Sequence, residues 1–161
     1  KEFKKNVIEE NVNFSIYKAG FSSSIKDIDI ALNQMKYMLD NNQLLLIRSY
    51  NKAEKENFFN QTWKAKDPTP STEYNELMEE YFNRVSYTIE HFDGWEAGWK
   101  TDRGMVYILF GAPDEINSFN SNNNLNKIRQ VWVYRKIGKE FSFIDQNGFG
   151  DYRLDSPFSL F

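Results

Sequence analysis

Side chains capable of chemistry gather between residues 91 and 115 of this chain. Trp95, Trp99, Asp102, Arg103 and Asp114 bring an aromatic platform, two carboxylates and a guanidinium into one short stretch, a combination that suits a sugar, a peptide carboxylate or a phosphate. A catalytic version would use Asp102 or Asp114 as general acid or base, with His91 close by in sequence. Paired carboxylates are common on any protein surface, so binding outranks catalysis. A structural reading explains still more of the residues. Gly98 and Gly104 permit backbone conformations closed to other residues, Trp99 offers a large anchor with one N–H, and Thr101 or Asp102 can bond neighbouring backbone amides. Arg103 is expected to pair with Asp102, Asp114 or Glu115. The stretch reads first as a rigid junction, second as a binding site.

Other polar candidates are weaker. His91 is the only histidine and cannot build an ordinary zinc site alone; a position at a helix C-terminus, where the dipole favours it, is expected. Asp145-x-Asn147-Gly148-x-Gly150-Asp151 has the alternating oxygens of a calcium loop but lacks the downstream bidentate Glu, so a hairpin with side-chain-to-backbone bonds is preferred. There is no cysteine, no Gly-x-Gly-x-x-Gly and no Gly-Lys-Ser/Thr, which leaves no thiolate, disulfide or phosphate-cradle chemistry. No metal and no cofactor are expected. Twenty basic against 23 acidic residues give a net charge of −3, with the signs interleaved, so no basic stripe points to nucleic acid. No apolar run approaches the ~18 residues of a membrane helix, and the first residues lack a signal-peptide core. Because the chain opens on Lys rather than Met, a mature form or a piece of something longer is expected.

The elements that must position these residues follow from periodicity. A length of 161 residues suits one domain burying ~70% of its unfolded surface, and the 17% aromatic content has its default place in the core. Val12, Phe14 and Ile16 alternate with polar residues, so residues 1–26 read as an N-terminal strand and linker, the end of a preceding domain, with the main domain at 27–161. Ile28, Leu32, Met35 and Leu39 predict a helix over 27–40, ended by Asp40, Asn41 and Asn42. Further helices are expected over 44–50 and over 52–64, the latter with Phe58, Phe59 and Trp63 on its apolar side. Pro68 and Pro70 break the pattern, Ser71 or Thr72 can cap the next helix, and Tyr74, Leu77, Met78, Tyr81, Val85 and Ile89 form its stripe along 72–91. Met105–Phe110 is apolar on both parities and, with Gly111 and Pro113 behind it, is expected to be a central strand. Residues 117–127 read as an Asn-rich loop. Strands at 131–135 and 140–144 turn near Gly138, and Asn147-Gly148 leads into 149–154. The fold class is α+β: an N-terminal helical part packed on a C-terminal antiparallel meander of four strands, at 105–110, 130–136, 139–145 and 149–154.

One segment is more specific. Gly98-Trp99-Lys100-Thr101-Asp102 spells Gly-Trp-x-Thr-Asp, followed by Arg103-Gly104, an apolar run and Gly111-Ala112-Pro113-Asp114-Glu115. This resembles the bacterial GWxTD domain. The likeness extends to the stretch from Lys64 to Val85, to Trp132-x-Tyr134, and to the ending Phe143-Ile144-Asp145-x-Asn147-Gly148-Phe149-Gly150-Asp151-Tyr152. The resemblance implies a module at the C-terminal end of a longer exported bacterial protein, in the periplasm or cell envelope, and supplies no catalytic residue or cofactor. The expected function is a non-enzymatic binding or structural module whose partner is a protein or a cell-envelope polymer. The alternative is a hydrolase or carbohydrate-active domain centred on Asp102, Asp114 and Arg103.

Overall fold

The structure is a computed structural model; it describes residues 27–155 apart from residue 73 and residues 121–127. The strand expected around residues 12–16 lies outside the described residues. Among the described residues, five α-helices precede a four-stranded antiparallel sheet, an α+β arrangement: α1 Ile28–Gln34, α2 Asn41–Ser49, α3 Lys52–Ala65, α4 Glu76–Phe92, α5 Asp102–Phe110, then β1 Glu115–Asn120, β2 Ile128–Tyr134, β3 Lys139–Asp145 and β4 Tyr152–Leu154. The sheet is a simple meander in the order β1-β2-β3-β4.

The helix starts are set by side chains that accept from free backbone N–H groups. Asp27 caps α1, Asp40 and Asn51 form capping boxes with Gln43 and Glu54 on α2 and α3, and Asn75 caps α4. Two expectations change here. Asp40 opens α2 instead of merely ending the helix before it, which closes with a 3₁₀ turn at Met35–Tyr37. Helix α4 starts at Asn75 rather than Ser71 or Thr72, because the Asn75 side chain both accepts from Met78 N–H and donates to the Trp63 carbonyl, tying α4 to the end of α3. Its buried stripe is Met78, Phe82, Val85 and Thr88, while Leu77 and Ile89 face outward.

The largest correction concerns 105–110, which is the body of a helix. Thr101 caps α5 at one end, and Gly111, with φ of 79°, closes it at the other. The run is apolar on both parities because α5 lies between two cores. Ile108 joins the helical core with Phe59, Trp63, Phe82, Val85 and Trp99; Val106 joins the sheet-side core with Trp132, Tyr134, Phe141 and Phe143. A helix that is apolar around its whole circumference is a buried one. The first strand of the meander is therefore Glu115–Asn120, which runs into the stretch expected to be loop from residue 117, and it pairs with β2 in unbroken register from Glu115↔Val133 to Asn120↔Ile128.

Register decides which sheet face meets α5. Trp132 lies opposite Phe141 and Gln130 opposite Phe143, placing Trp132, Phe141 and Phe143 on one face together with Tyr134. Burying each large ring there contributes about 1.5–3 kcal/mol. Three tyrosine hydroxyls then stitch the layers. Tyr37 donates to the Trp99 carbonyl at 2.7 Å, Tyr81 to the Gln34 carbonyl at 2.6 Å and Tyr134 to the Gly111 carbonyl at 2.8 Å. Burial, before any neighbouring charge, pushes all three phenols well above the ordinary tyrosine range. The native state thus holds protons that the unfolded chain releases near pH ~10, and the stability tied to them is complete below that pH and lost as pH rises above it. Denaturant midpoints are expected to hold steady up to pH ~9.5 and fall steeply beyond ~10, with Tyr134→Phe blunting the fall; a midpoint flat through pH ~11 would contradict this.

Candidate functional site

The Gly-Trp-x-Thr-Asp segment forms a short 3₁₀ turn, Gly98–Lys100, that runs directly into α5. Its glycines let backbone touch backbone. A Cβ on Gly98 would lie 1.8 Å from the Thr88 carbonyl oxygen of α4, and one on Gly104 would lie 1.9 Å from the Gly98 carbonyl oxygen. Helix α4, the turn and α5 are therefore stacked with no side chain between them, which only glycine allows.

Thr101 and Asp102, the two polar residues that the motif specifies, are bonded to main chain. Thr101 Oγ1 accepts from Gly104 N–H at 3.0 Å and donates to the Gly98 carbonyl at 2.8 Å. Asp102 Oδ2 accepts from Leu154 N–H at 2.7 Å, tying the start of α5 to β4 across the fold. Asp93 Oδ1 accepts from Gly98 N–H at 2.7 Å and fixes the turn from the other side. Trp99 is buried in the helical core, with the Lys36 and Lys100 ammonium groups 5.3 and 5.1 Å from its ring centre. Lys36 is half-buried, and desolvation lowers its pKa against the opposing pull of Glu96.

Arg103 does not pair with Asp102, Asp114 or Glu115. Glu115 is held by Arg135, and Asp114 Oδ2 accepts from Arg135 N–H at 2.7 Å, which fixes the turn into β1. The Arg103 guanidinium instead lies against two rings, its carbon 4.1 Å from the centre of Tyr152 and 5.0 Å from that of Phe92, and Nη2 donates to the Gly150 carbonyl over a long 3.4 Å. Burial lowers its pKa, opposed by Tyr152 and Asp145. Among the described residues no carboxylate forms an ion pair with it.

Arg103 faces an open cleft of about 430 Å³, lined also by Phe92, Trp95, Glu96, Thr101 and Phe149. Trp95 is 89% and Phe149 79% exposed, far more than the other large apolar residues described. Phe149 is presented by the loop after β3, which is built on Asp145. That carboxylate is buried, and it accepts from Asn147, Gly148 and Gly150 N–H at 3.2, 2.9 and 2.7 Å, so its oxygens are turned onto backbone rather than outward to an ion.

The structure thus brings Trp95, Thr101 and Arg103 to one cleft, places Trp99 and Asp102 behind it in the joint, and puts Asp114 at the far end of α5. Asp102 opens α5, a helix of nine residues and roughly 13 Å, and Asp114 lies beyond its other end; His91 packs on Tyr87 at the exposed end of α4, with ring centres 4.0 Å apart and ring planes tilted by 53°. Phe149 is the site residue that sequence reasoning does not single out. Its signal is an aromatic between two glycines directly after a turn, where a ring has little to bury against.

An α+β domain with a glycine-packed helix joint against a four-stranded meander is the class these features define. The GWxTD domain model matches residues 23–149, and the chain belongs to the GWxTD domain family. No curated protein and no solved structure matches the chain.

Proposed function

We propose that the chain is a non-enzymatic binding module of an exported bacterial cell-envelope protein, and that its partner is taken up in the cleft beside the family motif rather than by the motif itself. The observation that carries this reading is that Trp95 and Phe149, the two most exposed large apolar residues described, line one cleft with a guanidinium that has no carboxylate partner among the described residues. Large rings left in water beside a concave polar floor favour a bound partner. The motif supports the reading in a different way: Thr101 and Asp102 are committed to backbone bonds and Trp99 to the core. The hydrolase alternative draws less support, since Asp102 and Asp114 do not converge on a common point.

The test is cosedimentation of the domain with purified bacterial cell-envelope fractions. Wild-type protein is expected to be retained, and a Trp95→Ala/Phe149→Ala double variant to be released by about tenfold or more, with unchanged circular dichroism and melting temperature. Equal retention of a folded double variant would defeat the proposal. Export is tested separately by fractionating the source cells: recovery in the cytosol alone would contradict it. Among the described residues no helix is long and apolar enough to cross a membrane.

A further inference from the structure

We propose that the cleft recognises an extended peptide segment carrying an Asp or Glu side chain next to apolar residues, the carboxylate meeting Arg103 and the apolar groups lying on Trp95 and Phe149. This rests on the cleft-binding reading above and names its ligand class.

The polar groups of the cleft differ in what they have left to give. Of the described residues, three carboxylates line it, and each has a partner: Asp93 accepts from Gly98 N–H, Glu96 lies 3.2 Å from Arg153, and Asp151 lies 2.9 Å from Arg153. Arg103 is the exception. Phe92 and Tyr152 lie with their ring centres 5.0 and 4.1 Å from the guanidinium carbon, and rings offer no strong acceptor, so its N–H donors are what it has left for recognition. Among the described residues, a single bond of 3.4 Å, to the Gly150 carbonyl, engages those donors. A planar guanidinium set against two rings, with donors unspent, matches a carboxylate in two parallel hydrogen bonds.

The surroundings favour a carboxylate-bearing peptide over a neutral sugar. One oxygen of each lining carboxylate is already committed, to Gly98 N–H or to Arg153, whereas Arg103 has cationic donors to spare, which a carboxylate meets better than a hydroxyl does. The cleft is open, and a Cβ placed on Gly94 or Gly150 at its rim would meet nothing within 4 Å, so a peptide backbone can pass close to the main chain there. The two rings then supply apolar contact on either side of the charged anchor.

The probes are short acetylated, amidated peptides with one Asp or Glu between apolar residues, each matched by its Asn or Gln counterpart, plus an acidic oligosaccharide. Acrylamide quenching of fluorescence gives the readout, because Trp63, Trp99 and Trp132 are only 3%, 9% and 1% exposed and Trp95 dominates the accessible signal. Acidic peptides are expected to protect Trp95 and to bind about tenfold tighter than their amide partners, with affinity falling as salt rises. Arg103→Gln should erase the acid-over-amide preference, and Arg103→Lys should keep part of it. Equal binding of acid and amide peptides would overturn the inference while leaving cleft binding intact. Protection by the oligosaccharide alone, or by none of the probes, would also overturn it. Peptide binding measured by titration calorimetry and unaffected by Trp95→Ala would instead remove the cleft reading itself.

Discussion

Replacing Gly98 or Gly104 with alanine is expected to cost about 3–5 kcal/mol, a large part of the ~5–15 kcal/mol that holds a domain of this size together. The added methyl group would sit 1.8 Å from the Thr88 carbonyl oxygen in one case and 1.9 Å from the Gly98 carbonyl oxygen in the other. Both obstacles are backbone, one in the middle of α4 and one in the turn itself. Neither can move aside as a flexible side chain would. Relief requires α4 and α5 to separate, and the helical core spans that junction: Val85, Trp99 and Ile108 belong to the same buried cluster. Gly94→Ala is the internal control, since a Cβ there meets nothing within 4 Å. Urea denaturation should show a midpoint near wild type for Gly94→Ala and a collapse for the other two. Near-wild-type midpoints for Gly98→Ala and Gly104→Ala would mean that the close approach is not what the motif's glycines are for.

The second large effect is expected at Asp145. Asp145→Ala leaves three loop amides, those of Asn147, Gly148 and Gly150, without their acceptor in a part-buried setting. An orphaned buried donor costs about 1–3 kcal/mol, and partial escape of the loop to water should hold the total to about 2–4 kcal/mol. Asp145→Asn keeps one acceptor oxygen and should lose less. The same loop presents Phe149 and the Gly150 carbonyl to the cleft, so the alanine variant should also lose retention on envelope material at temperatures where it is still folded. Amide hydrogen exchange of residues 147–150 checks this directly; unchanged protection there would show that the carboxylate is not the loop's organiser.

How much of this was legible in the sequence depended on whether local pattern or tertiary placement decided the outcome. Phe59 and Trp63 on α3, the β2–β3 hairpin about Gly138 and the Asp145 turn follow from short-range chemistry, and all were readable. Helix α5 was not, because residues buried on every side lose the period that distinguishes helix from strand. The decisive signals were its ends: Thr101 accepting from Gly104 N–H, and Gly111 at positive φ. Strand β1 was missed for the opposite reason. Ile116 and Phe119 fall on opposite parities among polar residues, so nothing local marks Glu115–Asn120 as a strand, and pairing with β2 supplies the reason it is one. At the candidate site, Thr101 and Asp102 were recognisable as partners for backbone amides, but the amide that Asp102 serves lies 52 residues away, at Leu154. Arg103 was expected to find an acid; the structure gives it two aromatic rings, Phe92 from the end of α4 and Tyr152 from β4, a meeting that no spacing encodes.

The central claim is a division of labour: the GWxTD residues hold the polypeptide, and the neighbouring cleft holds the partner. It is tested most directly by measuring urea midpoints and envelope retention side by side for two pairs of variants, Thr101→Val with Asp102→Asn and Trp95→Ala with Phe149→Ala. The first pair should lower the midpoint, by about 1 kcal/mol for the lost helix cap at Thr101, and retain envelope material while folded. The second pair should keep the midpoint and lose retention. Full stability with lost retention in Thr101→Val or Asp102→Asn would contradict the claim and return the motif itself to consideration as the site.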